Sequence, residues 1–218
     1  MIRCSSIASI MTNPRENGAE WSETAKGAMM EMVREQLFGV RKNLDDMRAI
    51  QKGRACEDAG IELYNDVFMY SLEKVPPEGR RSNGIITGEP DLIAAVGSQK
   101  GVDIKVAYSL LTFPLSAEMC DKKGYEWQAR GYMCLFDVPV WEIAYCAIDT
   151  PENLLRDYDD RSIHIIDPEI PQHHRITICR YERDMELEKQ MLDKCAKANA
   201  WIENAVKQFA EEHDNYIK

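Results

Sequence analysis

The stretch Gly84-Ile-Ile-Thr-Gly88-Glu-Pro-Asp91-Leu-Ile-Ala-Ala-Val96-Gly-Ser-Gln-Lys-Gly101-Val102-Asp103-Ile104-Lys105-Val-Ala107 decides the fold. Residues 84–88 and 91–96 read as strand, 97–101 as a turn, and 102–107 as the returning strand of a β-hairpin. Side chains alternate along a strand, so Asp103 and Lys105 share a face while Ile104 enters the core. Pairing around the turn carries the Asp91 carboxylate to the Asp103 carboxylate. Two adjacent carboxylates repel, and a hard cation relieves that repulsion. With carboxylates, a backbone carbonyl and water as donors, Mg²⁺ or Mn²⁺ fits. A lysine beside the ion adds a compact charge for a phosphate, so the set meets the demands of phosphodiester hydrolysis. The competing reading is an exposed hairpin with a surface Asp–Lys pair, which contributes little energy. The short pattern alone does not separate the two.

Working outward, Trp21 to Phe38 carries Ala25, Met29, Met32, Val33 and Leu37 at helical spacing, with Ser22 and Thr24 as capping candidates. A second helix is predicted over Gly53 to Leu72, closed by Pro76-Pro77-Glu78-Gly79. After the hairpin come a helix over Tyr125–Phe136, a strand over Val140–Ile148, a loop over 150–172 and a strand over Arg175–Tyr181. A terminal helix from Asp184 to Phe209 bears an apolar stripe, expected to pack on the sheet. This order implies an α/β (α+β) domain, a central mixed sheet flanked by helices. Residues 1–20 are expected to form a flexible N-terminal segment, poor as a signal peptide, and 21–218 a single domain.

Composition narrows the class. Hydrophobic residues at 44% and charged ones at 29% exclude a disordered chain, and no apolar run is long enough to cross a bilayer. A net charge of −10 argues against coating nucleic acid through bulk positive potential, yet permits a local basic groove. The seven cysteines form no CxxC pair, which leaves zinc and iron–sulfur ligation without their usual spacing. They read as core fillers in a reducing cytoplasm.

Two further features bear on the hairpin. Gly53-x-x-x-Glu57 puts a carboxylate on the preceding helix, within reach of the same ion, although a lone Glu on a helix is commonly just solvated. Gln128-x-x-x-Tyr132 puts an amide and a phenol on one helix face, where Gln128 can bond site water or substrate and Tyr132 can buttress it.

The ordered set Gly53-x3-Glu57, Pro90-Asp91, Asp103-Ile104-Lys105 and Gln128-x3-Tyr132 resembles the PD-(D/E)XK nuclease superfamily. More narrowly it resembles the phage lambda exonuclease and viral-recombinase branch, related to RecB-type nuclease domains. The likeness spans about residues 20 to 210, with softer similarity at Trp21-Ser-Glu-Thr24 and Tyr181-Glu-Arg-Asp184. It implies a restriction-endonuclease-like core. It makes Asp91 and Asp103 direct metal ligands, with the Ile104 carbonyl completing the shell. Lys105 would be the catalytic lysine, Glu57 a helix-borne acidic ligand, Gln128 a site-orienting group and Tyr132 its support. Asp103 departs from the Glu more usual in this branch, a shortening of about one C–C bond. The cysteine cluster of iron–sulfur members is missing, so neither that cluster nor zinc is expected.

The resemblance further implies a Mg²⁺-dependent exonuclease acting on linear duplex DNA in phage or prophage recombination, in a bacterial or phage-infected cytoplasm. Such enzymes often form ring-like homo-oligomers and work beside a single-strand annealing protein; no membrane is implied. An endonuclease or CRISPR-associated nuclease on the same core is the alternative enzyme, and an inactive nuclease-like interaction module the non-enzyme one. Candidate phosphate contacts are the basic run Arg41, Lys42, Arg48, Lys52 and Arg54, together with Arg80, Arg81, Lys100, Ser109, Lys122 and Lys123. His164, His173 and His174 beside Asp157, Asp159 and Asp160 lack the register of a calcium or zinc site and read as a solvated loop.

Overall fold

The alternation of residues 100–106 is realised as a strand with one helical layer against each face. The computed structural model describes the chain except residues 17, 42, 44, 45, 94–99, 122, 123, 217 and 218. The strands are β1 (Ile2–Arg3), β2 (Arg81–Ser82), β3 (Ile86–Gly88), β4 (Leu92–Ile93), β5 (Lys100–Val106), β6 (Val140–Cys146) and β7 (Ile176–Glu182). The α-helices are α1 (Ile7–Met11), α2 (Glu23–Phe38), α3 (Arg48–Ala55), α4 (Glu57–Phe68), α5 (Ala117–Asp121), α6 (Glu126–Phe136) and α7 (Met185–Asp214). A mixed sheet of order β4-β5-β6-β7 forms the centre, with β5 and β6 parallel and both outer pairs antiparallel. A small sheet of order β1-β3-β2 lies beside it. The fold is the expected mixed α/β class.

The two faces of the central sheet carry separate cores. Val102, Ile104, Ala144 and Cys146 meet Ile61, Leu63 and Tyr64 of α4. Helix α4 comes close because residue 60 is glycine: a Cβ there would stand 2.7 Å from Ile104 Cγ2. On the other face Trp141, Ile143 and Tyr145 meet residues of α1, α2, α6 and α7. Ser22 caps α2 by accepting from the Ala25 amide at 3.0 Å, and Asp184 caps α7 through the amides of Glu186 and Leu187. The stripe Met191, Cys195, Ala198 and Ile202 is buried in the same core as Ala25, Met29 and Val33 of α2. Helix α7 therefore packs chiefly on helices, where packing on the sheet was expected.

Three expectations need correction. The N-terminal segment is ordered over residues 2–11: β1 pairs with β3, and Ile2, Ile7 and Ile10 are fully buried. The run is too short to announce itself by periodicity, yet its four apolar anchors, Cys4 included, all point into the main core. The helix predicted over 53–72 is two helices meeting at Cys56, whose φ of −112° and ψ of 6° leave the helical range. Strand 84–88 begins at Ile86 and joins the small sheet, so of the two strands expected before the turn it is β4 that pairs with β5. The expected 97–101 turn falls largely outside the described residues.

Gly101 faces Trp141 across the β5–β6 pair, and the indole ring occupies the space a Cβ would take. Trp141 is fully buried and cannot yield. Gly101→Ala is therefore expected to cost about 3 kcal/mol, the upper end for overpacking. Thermal unfolding would show this as a Tm lowered by roughly 6–12 °C; an unchanged Tm would mean the ring is free to move.

Candidate active site

Because Leu92 pairs with Val102, Asp91 stands opposite Asp103 at the edge of β5. The Ile104 amide donates to Asp91 Oδ2 at 2.8 Å and fixes that carboxylate. Asp103 is 1% exposed, and its Oδ2 accepts from Lys105 Nζ and from Gln128 Nε2, both at 3.0 Å. Gln128 also donates to the Tyr132 hydroxyl at 3.2 Å, and that hydroxyl donates to the Glu89 carbonyl at 3.0 Å. Helix α6 is thus tied to the residues just before Asp91, and one helix face sets the orientation of Asp103.

The electrostatics are those of a crowded acidic site. Burial, then the charge of Asp103, push the Asp91 carboxyl up to about 7. Burial opposes the charge of Lys105, but the Asp103 and Asp91 carboxylates outweigh it and hold the ammonium above the usual lysine range. Asp103 Oδ1 is buried with no hydrogen-bond partner among the described residues, a costly state for an acceptor.

Glu57, Asp91, Ile104 and Lys105 open onto one cleft of about 530 Å³, walled on the far side by Gly53 and Tyr108. A larger cavity of about 670 Å³ lies at the 12–26 loop, away from this acid–lysine group. Glu57 Oε1 is held by Lys74 Nζ at 2.8 Å, and the Val75 amide donates to the Asp91 carbonyl at 2.9 Å. Oxygen donors, an unpartnered buried carboxylate oxygen and mutual repulsion suit a hard divalent cation. Among the described residues no three acidic, His or Cys side chains already converge as a ligand cluster. The reason is visible: Asp103 turns to Lys105 and Gln128, and Glu57 turns to Lys74.

The described members of the basic run are not gathered on one surface. Lys52 is 2% exposed and donates to the Tyr108 carbonyl at 3.1 Å, so α3 docks through it. Arg48, one turn earlier on the same face, bonds Asp159 and the Leu154 carbonyl and lies over the Tyr108 ring. These two cations hold a cleft wall in place. Arg54 is exposed on that wall and lines the cleft. Arg41 is exposed and paired with Glu35, while Lys42, Lys122 and Lys123 lie outside the described residues. Ser109 is buried and caps the short turn 110–112 in a reciprocal box with Thr112, which removes it as a phosphate contact. Arg80 pairs with Glu89, Arg81 lies over the Phe136 ring, and Lys100 bonds Glu142 and Tyr64. His164 is buried against Thr150 and Tyr108, so part of the 150–172 loop is packed, contrary to the solvated loop expected.

Sequence reasoning missed three residues beside the site: Lys74, Tyr125 and Tyr145. Tyr125 was legible in principle, since it precedes Gln128 by three positions and shares its helix face. Tyr145 is the register partner of Lys105, which only the β5–β6 pairing reveals.

No protein-family model matches the chain, and no curated protein matches it significantly. Solved structures do. A phage-related exonuclease from Haemophilus somnus 129PT has a TM-score of 0.84 and 28% identity, over 97% of this chain and 96% of that one. The alkaline exonuclease LHK-Exo from Laribacter hongkongensis has a TM-score of 0.70 and 15% identity, over 99% and 94%. The same enzyme in complex with dAMP has a TM-score of 0.67 and 16% identity, over 99% and 94%. At that identity LHK-Exo speaks for the fold alone. The chain is thus similar along nearly its whole length to phage-related and alkaline exonucleases, and its resemblance to the lambda-exonuclease-like branch of the PD-(D/E)XK nucleases is borne out.

Proposed function

We propose that the protein is a Mg²⁺-dependent exonuclease that hydrolyses phosphodiester bonds of linear duplex DNA. The observation that carries this reading is the meeting of Asp91 and Lys105 on one cleft, with Asp103 buried behind them on Lys105 and its Oδ1 without a hydrogen-bond partner among the described residues. The likeness to a phage-related exonuclease at 28% identity supports it independently. Asp91 and Asp103 would hold the ion, joined by the Ile104 carbonyl and, once released from Lys74, by Glu57. Bound there, a divalent ion supplies Lewis acidity and lowers the pKa of a water molecule.

The protein's own groups divide the remaining work. Lys105 presents its ammonium to the scissile phosphate, where negative charge grows in the transition state. The Ile104 amide keeps Asp91 in register, and Gln128 keeps Asp103 turned to the site, with Tyr132 bracing the amide. Of the basic run, Arg54 on the cleft wall and Arg41, exposed and paired with Glu35, would meet the DNA backbone. By the same resemblance, we extend the proposal to a ring-like homo-oligomer acting beside an annealing protein in phage recombination, in the cytoplasm of the host. Among the described residues no helix is long and apolar enough to cross a membrane.

The test is digestion of end-labelled linear duplex and covalently closed circular DNA, with Mg²⁺ and with EDTA. Mononucleotides released from the linear substrate only, and only with Mg²⁺, are expected. A defined cut in the closed circle would replace the exonuclease reading with an endonuclease one, and EDTA-resistant cutting would remove the metal.

A further inference from the structure

We propose that Tyr125 is a positioning residue for Lys105, its ring forming one wall of the slot that holds the ammonium, with Tyr145 fixing that ring. Its kinetic consequence rests on the nuclease reading above. Tyr125, the N-cap of α6, is spaced by three and seven from Gln128 and Tyr132 and keeps a helical φ/ψ, so the cap extends the helix face that meets the site. Gln128 orients Asp103 and Tyr132 anchors to the Glu89 carbonyl, which leaves Tyr125 opposite Lys105. The Lys105 ammonium lies 5.4 Å from the centroid of the Tyr125 ring, within cation–π range.

A lysine side chain has four rotatable bonds, and the hydrogen bond to Asp103 Oδ2 restrains the ammonium from one side. The ring restrains it from another. Tyr145, beside Lys105 in the β5–β6 register, brings its hydroxyl to 3.4 Å from that of Tyr125, and the two rings meet at 6.2 Å and 52°. Both tyrosines line the cleft. The chain Tyr145–Tyr125–Lys105–Asp103 aims the ammonium at the place a phosphate must occupy. The ring face does this work, and the Tyr125 hydroxyl serves only to hold the ring.

The experiment compares Tyr125→Leu, Tyr125→Met, Tyr125→Phe and Tyr145→Phe in the full chain with Mg²⁺. Tyr125→Leu and Tyr125→Met are expected to lower kcat about 10-fold, the order a desolvated cation–π contact carries. KM should change by less than about twofold, because binding of the rest of the DNA is untouched. Tyr125→Phe should stay within about 3-fold of the parent, and so should Tyr145→Phe. A second readout needs no turnover: in the metal-free protein the Lys105 ε-methylene protons should be shifted upfield by the ring, retained in Tyr125→Phe and lost in Tyr125→Leu. Unchanged kcat in both aliphatic variants would overturn the proposal. So would a raised KM at constant kcat, which would put the ring against the nucleotide, or a Tyr125→Phe as impaired as Tyr125→Leu. If the parent protein cuts no DNA, the nuclease reading fails, and the proton shifts still decide whether the ring holds the lysine.

Discussion

Lys105→Ala is expected to lower kcat on linear duplex DNA by about 10²- to 10³-fold, the loss seen when one preorganised stabilising group is removed from a transition state. KM should change little, since the ammonium matters most as charge develops on the phosphate. The variant also removes the cation 3.0 Å from a carboxylate that is 1% exposed. Breaking a buried pair on one side costs about 3–5 kcal/mol, so the metal-free variant should melt below the parent. Mg²⁺ should restore much of that deficit while leaving activity low. Comparing Tm and kcat with and without Mg²⁺ separates the two effects, and activity within about 3-fold of the parent would remove Lys105 from the chemistry.

Asp91→Asn is the second variant of large effect. The Asn carbonyl oxygen can still accept from the Ile104 amide, so the hairpin geometry survives. What is lost is a charged ligand, and cutting should fall by more than about 10²-fold, beyond the usual loss for a residue that only orients a ligand. A pH signature accompanies this. The carboxyl of Asp91 sits at about 7, above its ordinary 3.8, so the folded metal-free protein keeps a proton that the unfolded chain releases. The stability tied to that proton is present at pH below 3.8 and is lost as pH rises through about 7. Mg²⁺ competes with the same proton, so its stabilising effect should grow between pH 6 and pH 8. One unit of pKa competition corresponds to about 1.4 kcal/mol, or roughly 3–6 °C in a chain of this size. Asp91→Asn should abolish that growth, and should not melt below the parent at pH 8 without metal. An equal Mg²⁺-induced Tm shift at both pH values, in the parent, would detach Asp91 from the ion.

The geometry at the candidate site's centre was legible because strand alternation is rigid: once 102–107 is read as a strand, the shared face of Asp103 and Lys105 follows. Helix spacing likewise gave Gln128 with Tyr132. The basic residues were misread for a physical reason. A lysine or arginine at a helix position looks solvated in sequence, and nothing local reveals that Lys52 will meet the Tyr108 carbonyl or Arg48 the Asp159 carboxylate, 56 and 111 positions away. The break at Cys56 was hidden in the same way, because neither proline nor glycine marks it. Residues 2–11 escaped because their order depends on pairing with β3, a contact across more than eighty positions.

The contact between Trp141 and Gly101 has a consequence for the chemistry two residues further on. Strand β5 could slide against β6 by one place at little cost in backbone bonding, but the indole would then strike Val102 or Lys100 in place of the gap that receives it. Such a slip would also drive Asp103 and Lys105 into the greasy layer beneath α4 and turn Ile104 out to the cleft. A tooth of tryptophan in a notch of glycine thus locks the charged pair to one side of the sheet, and the geometry of the candidate site is secured by a piece of the core set apart from its cleft.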